Sequence, residues 1–265
     1  MSPSKPRLPG LLGPENPPPV QVIRDHGRSA YVLVCDHAGN RLPKALGDLG
    51  LPAAELERHI AWDIGAAALS RKLADALDAV AILQTYSRLV IDCNRPPLSS
   101  TSIVATSEAT VIPGNRIVSA RDTAARRRDI FQPYHDRIAA ELDARAALRR
   151  PTILVAMHSF TKDFAGEPSR PWHIGVLYNR DTRLGHIVLD LLRAEGGLVV
   201  GDNRPYSVDD ETDYAIPVHG EQRGLPHVAF EVRQDLLADE TQQDAWASCL
   251  ARVLIRAEAL LNGSQ

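Results

Sequence analysis

From residue 20 onward, short apolar runs alternate with amphipathic stretches, the pattern expected of strands crossed by helices in an α/β domain. The run AYVLVC, Ala30 to Cys35, predicts a strand buried on both faces, and it stops abruptly at Asp36-His37-Ala38-Gly39-Asn40. Between Pro52 and Leu77 apolar residues recur at helical spacing, Ile64, Leu69 and Leu73 among them, which predicts two helices or one broken near Trp62-Asp63-Ile64-Gly65. VAILQT (Val80 to Thr85) and LVID (Leu89 to Asp92) read as strands, whereas Pro96 to Ser119, rich in Ser, Thr and Pro and without a period, reads as a long loop over the sheet edge. Ser119 to Arg150 predicts one long helix, with Ile130, Tyr134, Ile138 and Leu142 at intervals of four and Pro151 to stop it. TILVAM, Thr152 to Met157, predicts a strand that ends at His158-Ser159-Phe160-Thr161. IGVLYN (Ile174 to Asn179), a helix over Leu184 to Ala194, a short strand over Leu198 to Gly201, HVAFEV (His227 to Val232) and a closing helix over Thr241 to Leu261 complete the pattern.

No repeat of fixed period occurs and no linker divides the chain after residue 20, so the expectation is a single α/β domain over residues 20–265, its central sheet mostly parallel or mixed and flanked by helices. Residues 1–19, rich in Pro, Gly and Ser, read as an extended or disordered amino-terminal arm. With 265 residues the chain buries a core without covalent staples, and its 44% hydrophobic and 24% charged composition is that of an ordinary globular protein. A formal net charge of -3, from 30 basic and 33 acidic residues, provides no field to gather nucleic acid or an anionic membrane. The run Arg126-Arg127-Arg128 is interleaved with Asp122, Asp129, Asp136, Glu141 and Asp143, which marks a solvated helix face. Three cysteines without CxxC spacing, no leader of charged then apolar residues and no apolar run of membrane-spanning length predict a reduced, cytoplasmic protein. Oligomeric state has no signature.

The chain has no GxSxG, no glycine-rich loop followed by Lys-Ser or Lys-Thr, no GxGxxG after the first strand and no HExxH. What remains is a set of His, Asp, Glu, Asn and Arg residues at strand ends, where open α/β sheets place their sites. His37 and His158 each follow a buried strand, and two such imidazoles can share one divalent ion; the competing reading is that backbone groups satisfy each ring. A carboxylate completes the set, with Asp63, a lone acid in an apolar stretch, the first choice and Asp36 and Asn40 its rivals. Glu231 stands inside the last apolar run, where burial raises its pKa and suits it to general-base work on water, unless an ion pair with Arg233 explains it. YSRLVIDCNRP, Tyr86 to Pro96, gathers Arg88, Asp92, Asn94 and Arg95; arginine there can clamp a substrate carboxylate, or Arg88 and Asp92 can simply pair. GDNRPYS, Gly201 to Ser207, with His219 offers transition-state donors or turn caps.

Taken in order, CDHAGNRLP from Cys35, WDIGA from Trp62, SRLVIDCNRP from Ser87, HSF at His158, GDNRPYS from Gly201 and VAFEVRQDL from Val228 resemble the N-formylglutamate amidohydrolase family over nearly the whole chain after the arm. The resemblance implies a fold similar to zinc-dependent exopeptidases and succinylglutamate desuccinylases, and hydrolysis of N-formyl-L-glutamate to formate and glutamate late in histidine breakdown. It implies His37 and His158 as ligands to one divalent ion, zinc foremost, and Glu231 as the catalytic glutamate. It further implies that Asn94 and Arg95 grip the substrate carboxylate. Carboxypeptidase-like sites place a Glu three residues after the first His; here that position is Asn40, a poor zinc ligand, which moves the third-ligand assignment to Asp63. Arg88 and His219 are the candidate oxyanion stabilisers, and Asn203, Tyr206 and Arg233 the further candidate contacts to a small, carboxylate-bearing substrate. The loop motifs look closer to a divergent branch, so the alternatives are a metallohydrolase for a different N-acyl amino acid or small amide, and a catalytically silent binding protein.

Overall fold

The computed structural model describes residues 10–164, 166 and 168–263. In chain order the elements are β1 (Val20–Ile23), β2 (Tyr31–Cys35), α1 (Ala53–Leu56), α2 (Ala66–Leu77), β3 (Val80–Gln84), β4 (Thr106–Ser107) and β5 (Thr110–Val111). They continue with α3 (Ala120–Arg126), a π-turn (Arg127–Phe131), α4 (Gln132–Ala147), β6 (Ile153–Phe160) and β7 (Ile174–Leu177). The chain closes with α5 (Arg183–Ala194), β8 (Val200–Asp202), β9 (His227–Arg233) and α6 (Glu240–Gly263).

Among the described residues the central sheet has seven strands in the order β1-β3-β2-β6-β9-β7-β8. The pairs β2–β3, β2–β6, β6–β9 and β7–β8 are parallel, and β1–β3 and β7–β9 antiparallel. The sheet is thus mixed, within an α/β single domain. Every residue of β2, β3, β6 and β9 is buried because helices cover both faces. The period of two divides them cleanly. Tyr31, Leu33, Cys35, Val155, Met157, Val228 and Phe230 pack with α2, α5 and α6, and Val32, Val34, Val80, Ile82, Leu154 and Ala156 pack with α4 and its preceding π-turn.

Three departures from the expected elements have local causes. Leu89–Asp92 is not a strand. The amide of Val90 donates to the Ser87 carbonyl, that of Asp92 to the Ser102 carbonyl, and the Val90 carbonyl accepts from buried Arg126, so these backbone groups are committed to turns rather than a ladder. Arg126 therefore leaves the solvated face expected of the arginine run, being buried with Nη1 bonded to the Val90 carbonyl and to Asn115. The long helix over 119–150 is instead α3 and α4 joined through the π-turn. Pro133, which has no amide to donate, opens α4, and the wider turn just before it absorbs the change of register. The loop over 96–119 contains the β4–β5 hairpin, and the short edge strand β1 pairs with β3 directly after the arm.

Of the expected arm, residues 1–9 lie outside the described residues. The remainder runs along the domain: Leu11 is buried, its amide bonded to Asp129, and the Pro17 carbonyl accepts the Tyr86 hydroxyl at 2.7 Å. No helix among the described residues is long and apolar enough to cross a membrane.

Candidate metal centre and cleft

The carboxyl ends of β2, β6 and β9 open into one cleft of about 650 Å³, lined by His37, Asp63, Arg88, Asp92, His158 and Glu231 among others. Three segments are stitched together to form its floor. The amide of Asp63 donates to the His37 carbonyl at 3.0 Å, the amide of Arg88 to the Ala61 carbonyl at 3.2 Å, and the Ser87 hydroxyl to the same carbonyl at 2.7 Å. On the sheet, His158 of β6 stands directly opposite Glu231 of β9. Gly175 of β7 is the residue paired with Glu231 on the other side, and a Cβ there would lie 2.0 Å from the Arg204 carbonyl oxygen. Only glycine lets the 203–207 loop cross so close beside Glu231.

His37, Asp63 and His158 each offer a ligand atom, all within 4.8 Å of one another and all buried. Both Nδ1 atoms face Asp63 Oδ2, at 3.3 Å from His37 and 2.9 Å from His158. The other ring nitrogens are backed by two different carboxylates: His37 Nε2 donates to Asp92 Oδ1 at 2.7 Å, and His158 Nε2 lies 3.4 Å from Asp36 Oδ2. Carboxylates behind ligating histidines fix the tautomer and raise ligand basicity, so this donor set fits a small divalent ion.

The charge balance agrees. Asp36, Asp63, Asp92 and Glu231 converge on the two imidazoles, with Arg88 bonded to Asp92 Oδ2 at 2.6 and 3.1 Å and 3.5 Å from Asp63 Oδ1. Burial, the largest influence on Asp63, raises its pKa, yet the two imidazoles outweigh it and hold the carboxyl below its usual range. Burial likewise works to lower His158, but Asp36, Asp63 and Glu231 drive it well above 6.5. A field that retains positive charge against full burial is one that attracts a cation. Glu231 behaves differently: burial pushes it up to about 7, and its Oε2 is buried without a hydrogen-bond partner.

The structure brings together His37, Asp63, His158, Glu231, Arg88, Asn94, Arg95, Asn203 and Tyr206 around the cleft. It gives several of them employment other than that expected. Arg88 is paired with Asp92 and Asp63, so its charge is already engaged. The Asn94 amide is engaged, donating to Asp213 Oδ1 at 2.9 Å and accepting from the amides of Tyr214 and Ala215 at 3.1 and 3.0 Å. Asn203 Oδ1 accepts from the Tyr178 amide at 3.0 Å, holding its loop against β7. Arg95 keeps its charge available: its guanidinium donates to the Thr212 carbonyl, and no described carboxylate forms an ion pair with it.

Two candidates lie away from the cleft. His219 is buried against His135, with 2.9 Å between His219 Nε2 and His135 Nδ1. Arg233 ends β9 and is bound by Asp235 at 2.7 and 3.2 Å, not by Glu231. Of the rival third ligands, Asn40 donates to the Leu56 carbonyl at 3.0 Å, and Asp36 stands behind His158.

Sequence reasoning passed over the backing roles of Asp36 and Asp92. Their only trace was an acid adjoining the first histidine and an acid one turn after Arg88. Arg170, which meets both Phe164 and Tyr206, gave no signal at all.

Compared with known proteins, residues 29–238 match the sequence profile of FGase, N-formylglutamate amidohydrolase. A solved structure of gene product Atu2144 from Agrobacterium tumefaciens is 35% identical, with 95% of this chain and 99% of that chain covered and a TM-score of 0.91. N-formylglutamate amidohydrolase from Ralstonia eutropha JMP134 is 17% identical over 92% of this chain and 99% of its own, with a TM-score of 0.68, a likeness of fold. A search of curated proteins by sequence finds no match.

Proposed function

Since the chain belongs to the N-formylglutamate amidohydrolase family and is a hydrolase acting on an amide, we propose that it cleaves the amide of an N-acyl amino acid, N-formyl-L-glutamate foremost, with one divalent ion, zinc first among candidates. His37, Asp63 and His158 would hold the ion. When bound, such an ion supplies positive charge that acidifies water and polarises a carbonyl. The observation that carries this reading is the convergence of two imidazoles, one just past β2 and one near the end of β6, with one carboxylate, each imidazole backed by its own acid, beside a buried, unpartnered Glu231.

Glu231 takes a proton from the attacking water through Oε2 and returns it to the departing nitrogen. The products are a carboxylic acid, formate for a formyl substrate, and the free amine. A carboxyl whose burial places its pKa near neutrality can perform both transfers. Arg95, which forms no ion pair among the described residues although Asp92, Asp209 and Asp213 lie within its field, grips the substrate carboxylate and so orients the scissile bond. Asp92 and Asp36 hold the two imidazoles with their Nδ1 atoms turned to the centre. Asn94 serves one step back, fixing the 213–215 segment that forms part of the cleft wall.

The test is a panel of formyl, acetyl and succinyl amino acids, assayed after chelation and again after metal is restored. The reading expects turnover that vanishes and returns with metal, and a preferred acyl group within the panel. It expects Glu231→Gln to keep metal while losing about 10²–10⁴-fold in kcat; unchanged turnover in that variant removes Glu231 from the chemistry.

A further inference from the structure

The loop after β6 returns on itself, the amide of Arg170 donating to the Lys162 carbonyl at 2.9 Å. Arg170 belongs to no helix or strand, yet it is only 5% exposed. Its guanidinium carbon lies 4.7 Å from the Phe164 ring centre and 4.9 Å from that of Tyr206, and Nη1 donates to the Tyr206 hydroxyl oxygen at 2.7 Å. A guanidinium has donors and no acceptor. The phenol oxygen must therefore accept, and its own hydrogen is directed away from Arg170.

Tyr206 lines the cleft together with His158 and Glu231. Tyr206 is 41% exposed, yet burial on its cleft side is the chief influence on its hydroxyl and raises its pKa above 10; Glu231 reinforces this, while Arg170 and Arg88 act the other way. Nearby hydroxyls are already committed: Ser159 donates to the Ile64 carbonyl at 2.7 Å and Thr161 to that of Asp163 at 3.1 Å. Arg88 is held by Asp92, and His219 lies elsewhere. A positive charge on the far side of the phenol oxygen polarises the O–H bond and makes it a stronger donor.

We propose that Tyr206 donates a hydrogen bond to the scissile carbonyl oxygen as negative charge builds there, and that Arg170 is a positioning residue that aims this hydroxyl. The proposal rests on the amide-hydrolase reading above. As water adds to the carbonyl carbon, the C=O π pair moves onto oxygen, where the Tyr206 O–H meets it without giving up its proton. The pair returns when the C–N bond breaks and nitrogen takes its proton from Glu231.

The experiment compares wild type with Tyr206→Phe, Arg170→Met, Arg170→Lys and the double variant Tyr206→Phe/Arg170→Met, on whichever amide of the panel wild type cleaves. Metal content and melting temperature are recorded for each. Loss of one oxyanion donor is expected to lower kcat about 100-fold in Tyr206→Phe, with KM and metal content little changed. Arg170→Met should lower kcat in the same direction, Arg170→Lys should recover part of the loss, and the double variant should be no slower than Tyr206→Phe alone. Full kcat in Tyr206→Phe, or losses that multiply in the double variant, would overturn the proposal. A wild type that cleaves no amide would instead remove the hydrolase reading. The pair is then decided by a near-ultraviolet titration of the phenol, isolated by subtracting Tyr206→Phe: Arg170→Met must raise its midpoint, and an unmoved midpoint overturns the assignment.

Discussion

Acid should unfold this protein early through a histidine pair beneath the cleft. His135 Nε2 lies 2.8 Å from the Cys93 carbonyl, which can only accept, so that nitrogen carries the hydrogen. His135 Nδ1 then accepts from His219 Nε2 across 2.9 Å. A proton added to His135 would either oppose the His219 Nε2–H or force that ring into its other tautomer, and would place a charge in a buried site in either case. Burial accordingly pushes His135 down from 6.5 to about 4, and His219 to about 3. The folded state refuses a proton that the unfolded chain accepts, so the stability this neutral ring contributes is complete above pH 6.5 and is lost as pH falls toward 4. At about 1.4 kcal/mol per unit, that interval is worth about 3 kcal/mol, a large part of the stability of an ordinary domain.

Urea unfolding of wild type and His135→Gln across this pH range measures it, because glutamine can still donate to the Cys93 carbonyl and accept from His219 but does not titrate. The variant starts less stable at neutral pH and should lose about 3 kcal/mol less on acidification. Charges elsewhere, including Glu231, titrate alike in both proteins and cancel in the comparison. Parallel stability curves for the two proteins would refute the reasoning.

Three further outcomes are expected. Asp92→Asn removes the negative charge behind His37 Nε2 and should weaken divalent-metal affinity about 10–100-fold in competition with a chromophoric chelator. Arg95→Ala should raise KM for carboxylate-bearing substrates about tenfold or more and leave the corresponding carboxamides unaffected; equal KM values for wild type and variant reject the clamp. Gly175→Ala sets a Cβ 2.0 Å from the Arg204 carbonyl, so the loop carrying Tyr206 must move; kcat should fall while metal content holds.

The parts of this fold that could be read in the sequence are those where one physical signal dominates. Continuous apolar runs mark β2, β6 and β9 because these strands are covered on both faces. Polar residues that interrupt such runs, His37, His158 and Glu231, stand out against them for the same reason. LVID misled because burial without a ladder has the same composition as a strand: Leu89, Val90 and Ile91 are buried side chains on a turn whose amides are satisfied elsewhere. β1 escaped notice as a four-residue edge strand whose burial follows no clean alternation.

In the site, residue types pointed to the ligands but not to who supports them. Arg88 and Asp92 pair locally, four residues apart, but whether Asn94 faces a ligand or three groups of the 213–215 segment depends on contacts over a hundred residues apart. The same holds for Arg170 and Tyr206, 36 positions apart and joined only by the fold.

The most direct measurement is the metal stoichiometry of protein prepared without chelator, taken beside amide turnover, for wild type and Asp63→Ala. One divalent ion per chain in wild type, with both the ion and the turnover lost in Asp63→Ala, is the result expected of a centre built from His37, Asp63 and His158. Full turnover by metal-free wild type, or an ion bound equally well without the Asp63 carboxylate, would contradict it.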